Sequence, residues 1–143
     1  MTPNLTTDIE LALTHSRFNE NDDDEGDYIE GSLPFVASLG LNWQYNEKVS
    51  TYLRVRHFGK STLDSFNENQ SNSFTVVNAS AQYQLSDWKF DISILNLLDS
   101  NDHDIDYRYA SRLPGEAPEG VEDTHYHPIE PRTFRLSISY LFD

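Results

Sequence analysis

The sequence predicts an all-β protein: an antiparallel up-and-down meander of about six strands, of the kind that forms part of a transmembrane β-barrel. Three observations lead there. Apolar and polar residues alternate with a period of two along most of the chain, and no stretch holds a helical period. The connections alternate strictly between short and long. The composition joins a modest hydrophobic share of 37% to 13% aromatics, which suits strands with one apolar and one polar face.

The strands follow in order. The first is predicted over residues 6–18, with Ile9, Leu11 and Leu13 on one face and Glu10, Thr14 and Ser16 on the other. The second, over 33–45, aligns Phe35, Ala37, Leu39, Leu41, Trp43 and Tyr45 against Ser38, Gly40, Asn42 and Gln44. The third, over 49–58, sets Val49, Leu53 and Val55 against Arg54 and Arg56. The fourth, over 74–85, sets Val77, Ala79, Ala81, Tyr83 and Leu85 against Asn78, Ser80, Gln82 and Gln84. The fifth, over 88–96, alternates Trp88, Phe90, Ile92 and Ile94 with Lys89, Asp91 and Ser93. The last, over 132–142, has the cleanest pattern: Phe134, Leu136, Ile138, Tyr140 and Phe142 against Thr133, Arg135, Ser137 and Ser139.

Between them, 46–48 and 86–87 read as tight turns, while 19–32, 59–73 and 99–131 read as long polar connections. In a meander this puts every short turn at one end and every long loop at the other. Outer-membrane barrels have that asymmetry, with short periplasmic turns and long extracellular loops. Trp43, Tyr45, Tyr83, Trp88, Tyr140 and Phe142 fall near the short-turn ends and resemble one interfacial aromatic girdle. The alternative is a small soluble β-sandwich or lipocalin-like ligand-binding module, whose apolar faces would turn inward.

Composition excludes several classes. The net charge of −14 over 143 residues is the wrong sign for a nucleic-acid partner. With no cysteine there is neither a disulfide framework nor a thiolate metal site. The polar start Met1-Thr2-Pro3-Asn4 is unlike a signal peptide, and no run of about 18 apolar residues marks a transmembrane helix. No nucleophile elbow or Gly-rich phosphate loop appears, so neither an enzyme nor a cofactor is expected.

The last third carries a resemblance. Asp91 to Asp99, with its Asn96-Leu97-Leu98-Asp99 ending, resembles the "NLFD" strand end of TonB-dependent receptors. Tyr107 to Glu116 looks like the loop that follows, and His127 to Phe142, with the run Glu130-Pro131-Arg132-Thr133-Phe134, resembles their closing strand. Gly31-Ser32-Leu33-Pro34 resembles the entry to an earlier strand. The resemblance implies a C-terminal portion, 1–143, of a 22-stranded barrel with a plugged lumen, residing in the outer membrane. It implies energised uptake of a scarce ligand such as a siderophore. The implied partners are the remaining strands and plug, outer-membrane lipid, and TonB, engaged only through an N-terminal part outside this sequence. It also gives Tyr140 and Phe142 the role of a barrel-assembly signal, although Asp143 follows Phe142 where the family ends on its aromatic.

Candidate sites follow from residue type. Arg54, Arg56 and Arg135, with Lys89, Asp91 and Arg132, project from polar strand faces and would face a barrel lumen. His125 and His127, at strand spacing near Asp104, Asp123 and Glu130, are candidate metal ligands; the alternative is a polar loop lining a ligand entrance. The run Asn21 to Asp27 suggests calcium, but aligning Gly26 with the sixth position of an EF-hand loop puts Ser32 where Glu is required. A looser cation site or a solvated loop remains for that run. Isolated copies, with two open sheet edges and one apolar face, are expected to self-associate.

Overall fold

The computed structural model describes residues 4–19 and 25–142. Eight strands form: β1 (Asn4–Leu13), β2 (Phe35–Gln44), β3 (Val49–Phe58), β4 (Phe74–Leu85), β5 (Trp88–Leu95), β6 (His103–Ser111), β7 (Val121–Pro128) and β8 (Thr133–Tyr140). Six of them make one antiparallel sheet in the order β1-β2-β3-β4-β5-β8, and β6 and β7 make a separate two-stranded hairpin. The meander of six strands is therefore as the alternation predicts. The hairpin is a correction, because residues 99–131 read as a long polar connection with no strand in it.

The sheet register puts the alternation to work. Leu41 lies between Thr7 and Leu53, Leu53 beside Ala79, Ala79 beside Ile94, and Ile94 beside Phe134. One face is thus apolar across all six strands. A slip of one residue in any pair would move that strand's apolar set to the wrong side. This face has no protein layer over it: Ile92 is 49% and Leu136 71% exposed. Among the described residues the only buried hydrophobic side chains are Leu63 (5%) and Phe74 (9%), both at the loop end. A sandwich would need a second sheet against the apolar face. None is present among the described residues, so the sandwich alternative has no counterpart there.

The two short turns lie at one end. Asn46 Oδ1 accepts from the N–H groups of Lys48 (2.8 Å) and Val49 (2.9 Å), an Asx turn that reverses β2 into β3. Ser86 takes a φ of 49° between β4 and β5. Aromatic rings gather here. Trp43 meets Tyr45 at 5.7 Å, Trp88 meets Tyr140 at 4.8 Å, and Tyr140 meets Phe142 edge-on at 4.7 Å.

The strand ends differ from expectation by local chemistry. β1 stops at Leu13 rather than Phe18. Beyond it the Thr14 N–H still donates to the Pro34 carbonyl, but the chain then narrows to a single bridge between Arg17 and Tyr28. β5 stops at Leu95 because Asn96 turns to a φ of 47°. The calcium candidate lies mostly in residues 20–24, outside the described residues.

Candidate functional site: the polar face and its loop-end mouth

The second face of the sheet is polar, and register fixes its members. Arg54 lies beside Gly40 and Asn78; Arg56 lies beside Ser38 and Val76; Arg135 lies beside Ser93. Asp8 is the other neighbour of Gly40. With no side chain on Gly40, Asp8 reaches across the whole of β2 and accepts from Arg54 Nη2 at 3.0 Å. A Cβ built on Gly40 would sit 2.2 Å from Asp8 Oδ1. The Tyr52 ring, 5.5 Å from the Arg54 guanidinium, supports the same side chain. Gly40→Val is expected to break this ion pair. The pair is only part-buried, so the loss is about 1 kcal/mol. Substitution of Arg54 by Gln should then cost nothing further in the Gly40→Val background, which a double-mutant cycle on unfolding midpoints would read; independent, additive losses would refute the link.

Toward the loop end the polar face turns apolar. Phe58 and Phe74 stack at 4.7 Å with an interplanar angle of 17°. With Val76, Leu95 and Ile129 they line a cleft of 390 Å³, which Arg56, Asp104 and Glu130 also border. Asp104 and Ile129 come from the ends of the β6–β7 hairpin, so the base of the hairpin forms one wall.

Asn96 holds that base in place. It is 2% exposed. Its backbone N–H donates to Asn78 Oδ1 at 3.0 Å. Its side-chain NH2 donates to the carbonyls of Ser100 (3.0 Å) and Glu130 (3.1 Å), and its Oδ1 accepts from the Ser100 N–H at 3.0 Å. One side chain therefore joins both ends of a connection more than thirty residues long. Asp99 repeats the device: its carboxylate accepts from the Arg132 N–H (3.3 Å) and pairs with the Arg132 guanidinium (3.5 Å). These two residues open and close the Asn-Leu-Leu-Asp ending, which gives that motif a physical role.

The loops 14–34 and 59–73 are tied to each other. The N–H groups of Tyr28 and Gly31 donate to the carbonyls of Ser65 (3.0 Å) and Thr62 (2.8 Å). The approach is close at Gly26, where a Cβ would meet the Ser65 carbonyl oxygen at 1.9 Å. Within 14–34, the Arg17 guanidinium lies over the Tyr28 ring at 3.4 Å and beside Asp27 at 3.5 Å. Within 59–73, Asp64 organises the backbone. Its carboxylate accepts from the N–H groups of Phe66 (3.0 Å), Glu68 (3.0 Å) and Asn69 (2.6 Å), and from the Asn69 side chain at 2.8 Å.

Desolvation pushes the Asp64 carboxyl up, but these hydrogen bonds outweigh it and hold its pKa below the ordinary value of 3.8. A depressed folded-state pKa stabilises above the unfolded value, and that stabilisation is lost as pH falls through the folded one. The loop is therefore expected to loosen in acid, below about pH 4. Amide shifts of Phe66, Glu68 and Asn69 should move together on acidification, and Asp64→Asn should abolish the transition; a transition that survives in Asp64→Asn would refute the assignment.

The histidine rings have different partners. His125 stacks on Tyr109 at 4.0 Å, while His127 Nδ1 is 2.7 Å from Asp104 Oδ1. Across the hairpin His103 stacks on Tyr126 at 3.6 Å and lies 3.0 Å from Asp106 Oδ1. Among the described residues no three His, Asp or Glu side chains come together to hold a metal ion. Sequence reasoning missed the cleft and the hairpin. Ile105, Tyr107 and Tyr109 alternating with Asp106 and Arg108 was the available signal for β6.

An open antiparallel sheet with an uncovered apolar face, an aromatic belt at its short-turn end and long tied loops at the other is a piece of an outer-membrane β-barrel. A family model described as TonB dependent receptor-like, beta-barrel matches residues 4–97, and the chain belongs to that family of outer-membrane transport proteins. The match takes in β1 to β5; the hairpin and β8 lie beyond it. Neither a curated protein nor a solved structure matches the chain.

Proposed function

We propose that this chain is the C-terminal portion of a larger receptor barrel that takes up a scarce ligand such as a siderophore, with energy delivered through TonB. The supporting observation is the pairing of a continuous apolar face with a polar face that ends in a cleft at the long-loop end of the sheet. On this reading the apolar face meets lipid, and Arg54, Arg56 and Arg135 face the lumen. β1 and β8, the edges of the sheet, pair with further strands, because bacterial barrels close with eight or more. A plug fills the lumen and carries the TonB contact. The Tyr140–Phe142 aromatic pair at the β8 edge serves as the assembly signal. Apart from those strands, the two edges and the apolar face would drive copies of the chain together.

The polar residues' part is electrostatic and positional. Ion pairs such as Asp8–Arg54 keep charge inside the barrel satisfied, while the tied loops fix the mouth. The experiment is uptake of radiolabelled ferric siderophores by an iron-starved host expressing the longer receptor. Uptake should require both TonB and the proton-motive force. Accumulation that persists without TonB would reject the reading.

A further inference from the structure

The cleft at the mouth contains one charged group that the fold leaves unused. Of its bordering ionisable side chains, Asp104 is hydrogen-bonded to His127 at 2.7 Å and Glu130 is paired with Arg135 at 3.0 Å. Arg56 has no hydrogen-bond or ion-pair partner among the described residues. The register explains why. Two arginines on β3 each face an acidic residue on β1 across one residue of β2: Asp8, Gly40 and Arg54 in one row, Glu10, Ser38 and Arg56 in the next. In the first row the intervening residue is glycine, and the carboxylate crosses to its arginine. In the second it is serine, buried at 8% exposure, which carries the side chain that Gly40 lacks, and no Glu10–Arg56 pair forms among the described residues. The Ser38 Oγ itself has no partner among the described residues. Arg56 is thereby kept for the cleft, in register with Val76 and beside the Phe58–Phe74 stack.

We infer that this cleft binds an organic anion whose flat apolar body lies against Phe58 and Phe74 and whose carboxylate is taken by the Arg56 guanidinium. The volume of 390 Å³ falls in the range of small-molecule sites, and a mostly apolar lining with a few placed polar groups is their usual make-up. Charge decides the class of occupant: an unpaired guanidinium selects a carboxylate over an uncharged isostere. The inference deepens the uptake reading and rests on it for its placement at the barrel mouth, but its chemistry is testable apart from transport.

The test uses the full 143-residue chain, ¹⁵N-labelled in detergent micelles, titrated with naphthalene-2-carboxylate and separately with naphthalene-2-carboxamide. The carboxylate is expected to bind about tenfold more tightly, the worth of a charge-assisted hydrogen bond. Shifts should centre on the amides of Phe58, Phe74, Val76 and Ile129. Arg56→Gln should erase the preference while leaving carboxamide binding intact, which also shows that the cleft still forms. Ser38→Gly should reduce it by admitting Glu10 to Arg56. Equal affinity for the two probes, an unchanged preference in either variant, or shifts centred on Leu53, Ile92 and Leu136 of the apolar face would overturn the inference. Binding in the chain that disappears in the plug-bearing receptor would do so as well, by showing the cleft to be filled by protein. Loss of TonB-dependent uptake with the tenfold preference intact would instead count against the transport reading alone.

Discussion

Ile92→Arg is expected to destabilise the folded barrel by about 2–4 kcal/mol in a lipid bilayer, the cost of an arginine at the midplane of a lipid-facing surface. Ile92 is the central choice on β5. It lies between Ala81 of β4 and Leu136 of β8 and is half exposed on the apolar face. It lies four positions along the strand from Trp88 at the aromatic end, about 13 Å, so it falls near the middle of an apolar band about 25 Å tall. The contrast is Ser80→Arg. Ser80 faces the polar side at nearly the same height, between Tyr52 and Ser93. There the new charge meets polar neighbours, and the expected cost is below about 1 kcal/mol. Urea titrations in phosphocholine vesicles would measure both. Equal costs for the two variants would mean that the faces are misassigned, and with them the family's mode of membrane insertion in this segment.

The second large effect is at Asn96. Asn96→Ala leaves the Ser100 N–H and the carbonyls of Ser100 and Glu130 without the partners they have now. A fully buried group left unpaired costs about 1–3 kcal/mol and these part-buried ones less, and alanine at a φ of 47° adds about 1 kcal/mol. Partial rehydration of an opened base would recover some of this, so the expected net loss is about 3 kcal/mol. Asn96→Asp keeps the acceptor for Ser100 and loses both donors, and should cost roughly half as much. The loss should be local. Hydrogen exchange should quicken along the β6–β7 hairpin and at Arg132, where the Asp99 contact also depends on the turn, while β2 and β3 stay protected. A destabilisation under about 1 kcal/mol, or one spread evenly over the sheet, would show that Asn96 is not the clamp.

The two expectations differ in how visible they were in the sequence. The placement of Ile92 follows from period-two patterning, because side chains alternate along an unbulged strand such as β5 and the faces can be read by counting. The turn at Asn96 was visible as a motif, but its bonding was not. Its partners Asn78 and Glu130 lie 18 and 34 residues away, and nothing local announces such a meeting. The same holds for the arginines. Arg54 and Arg56 look alike in sequence, both on the polar side of one strand. Only the alignment of β1, β2 and β3 reveals that one faces a carboxylate over a glycine and the other a serine.

The β6–β7 hairpin falls between these cases. Its alternation is present, but its apolar positions are tyrosine and isoleucine among aspartates, so the run reads as part of a long polar loop. Because its aromatic side chains stack on histidines rather than on a core, it carries little of the hydrophobic signal that marks a strand. The histidine candidates illustrate the same limit. Spacing put His125 and His127 on one side of a strand, while tertiary contacts gave one ring to Tyr109 and the other to Asp104.

By itself, then, the sequence determined the class of fold, the six sheet strands, the lipid-compatible face and the end at which the loops gather. Those properties depend on residue period and connection length, which are local. The tertiary structure alone decided the cleft, the clamp at Asn96, the loop-to-loop ties and the free guanidinium of Arg56. Each of these arises where residues distant in sequence are brought together by the sheet's register, and for Arg56 it turns on the one residue of β2 that lies between it and Glu10.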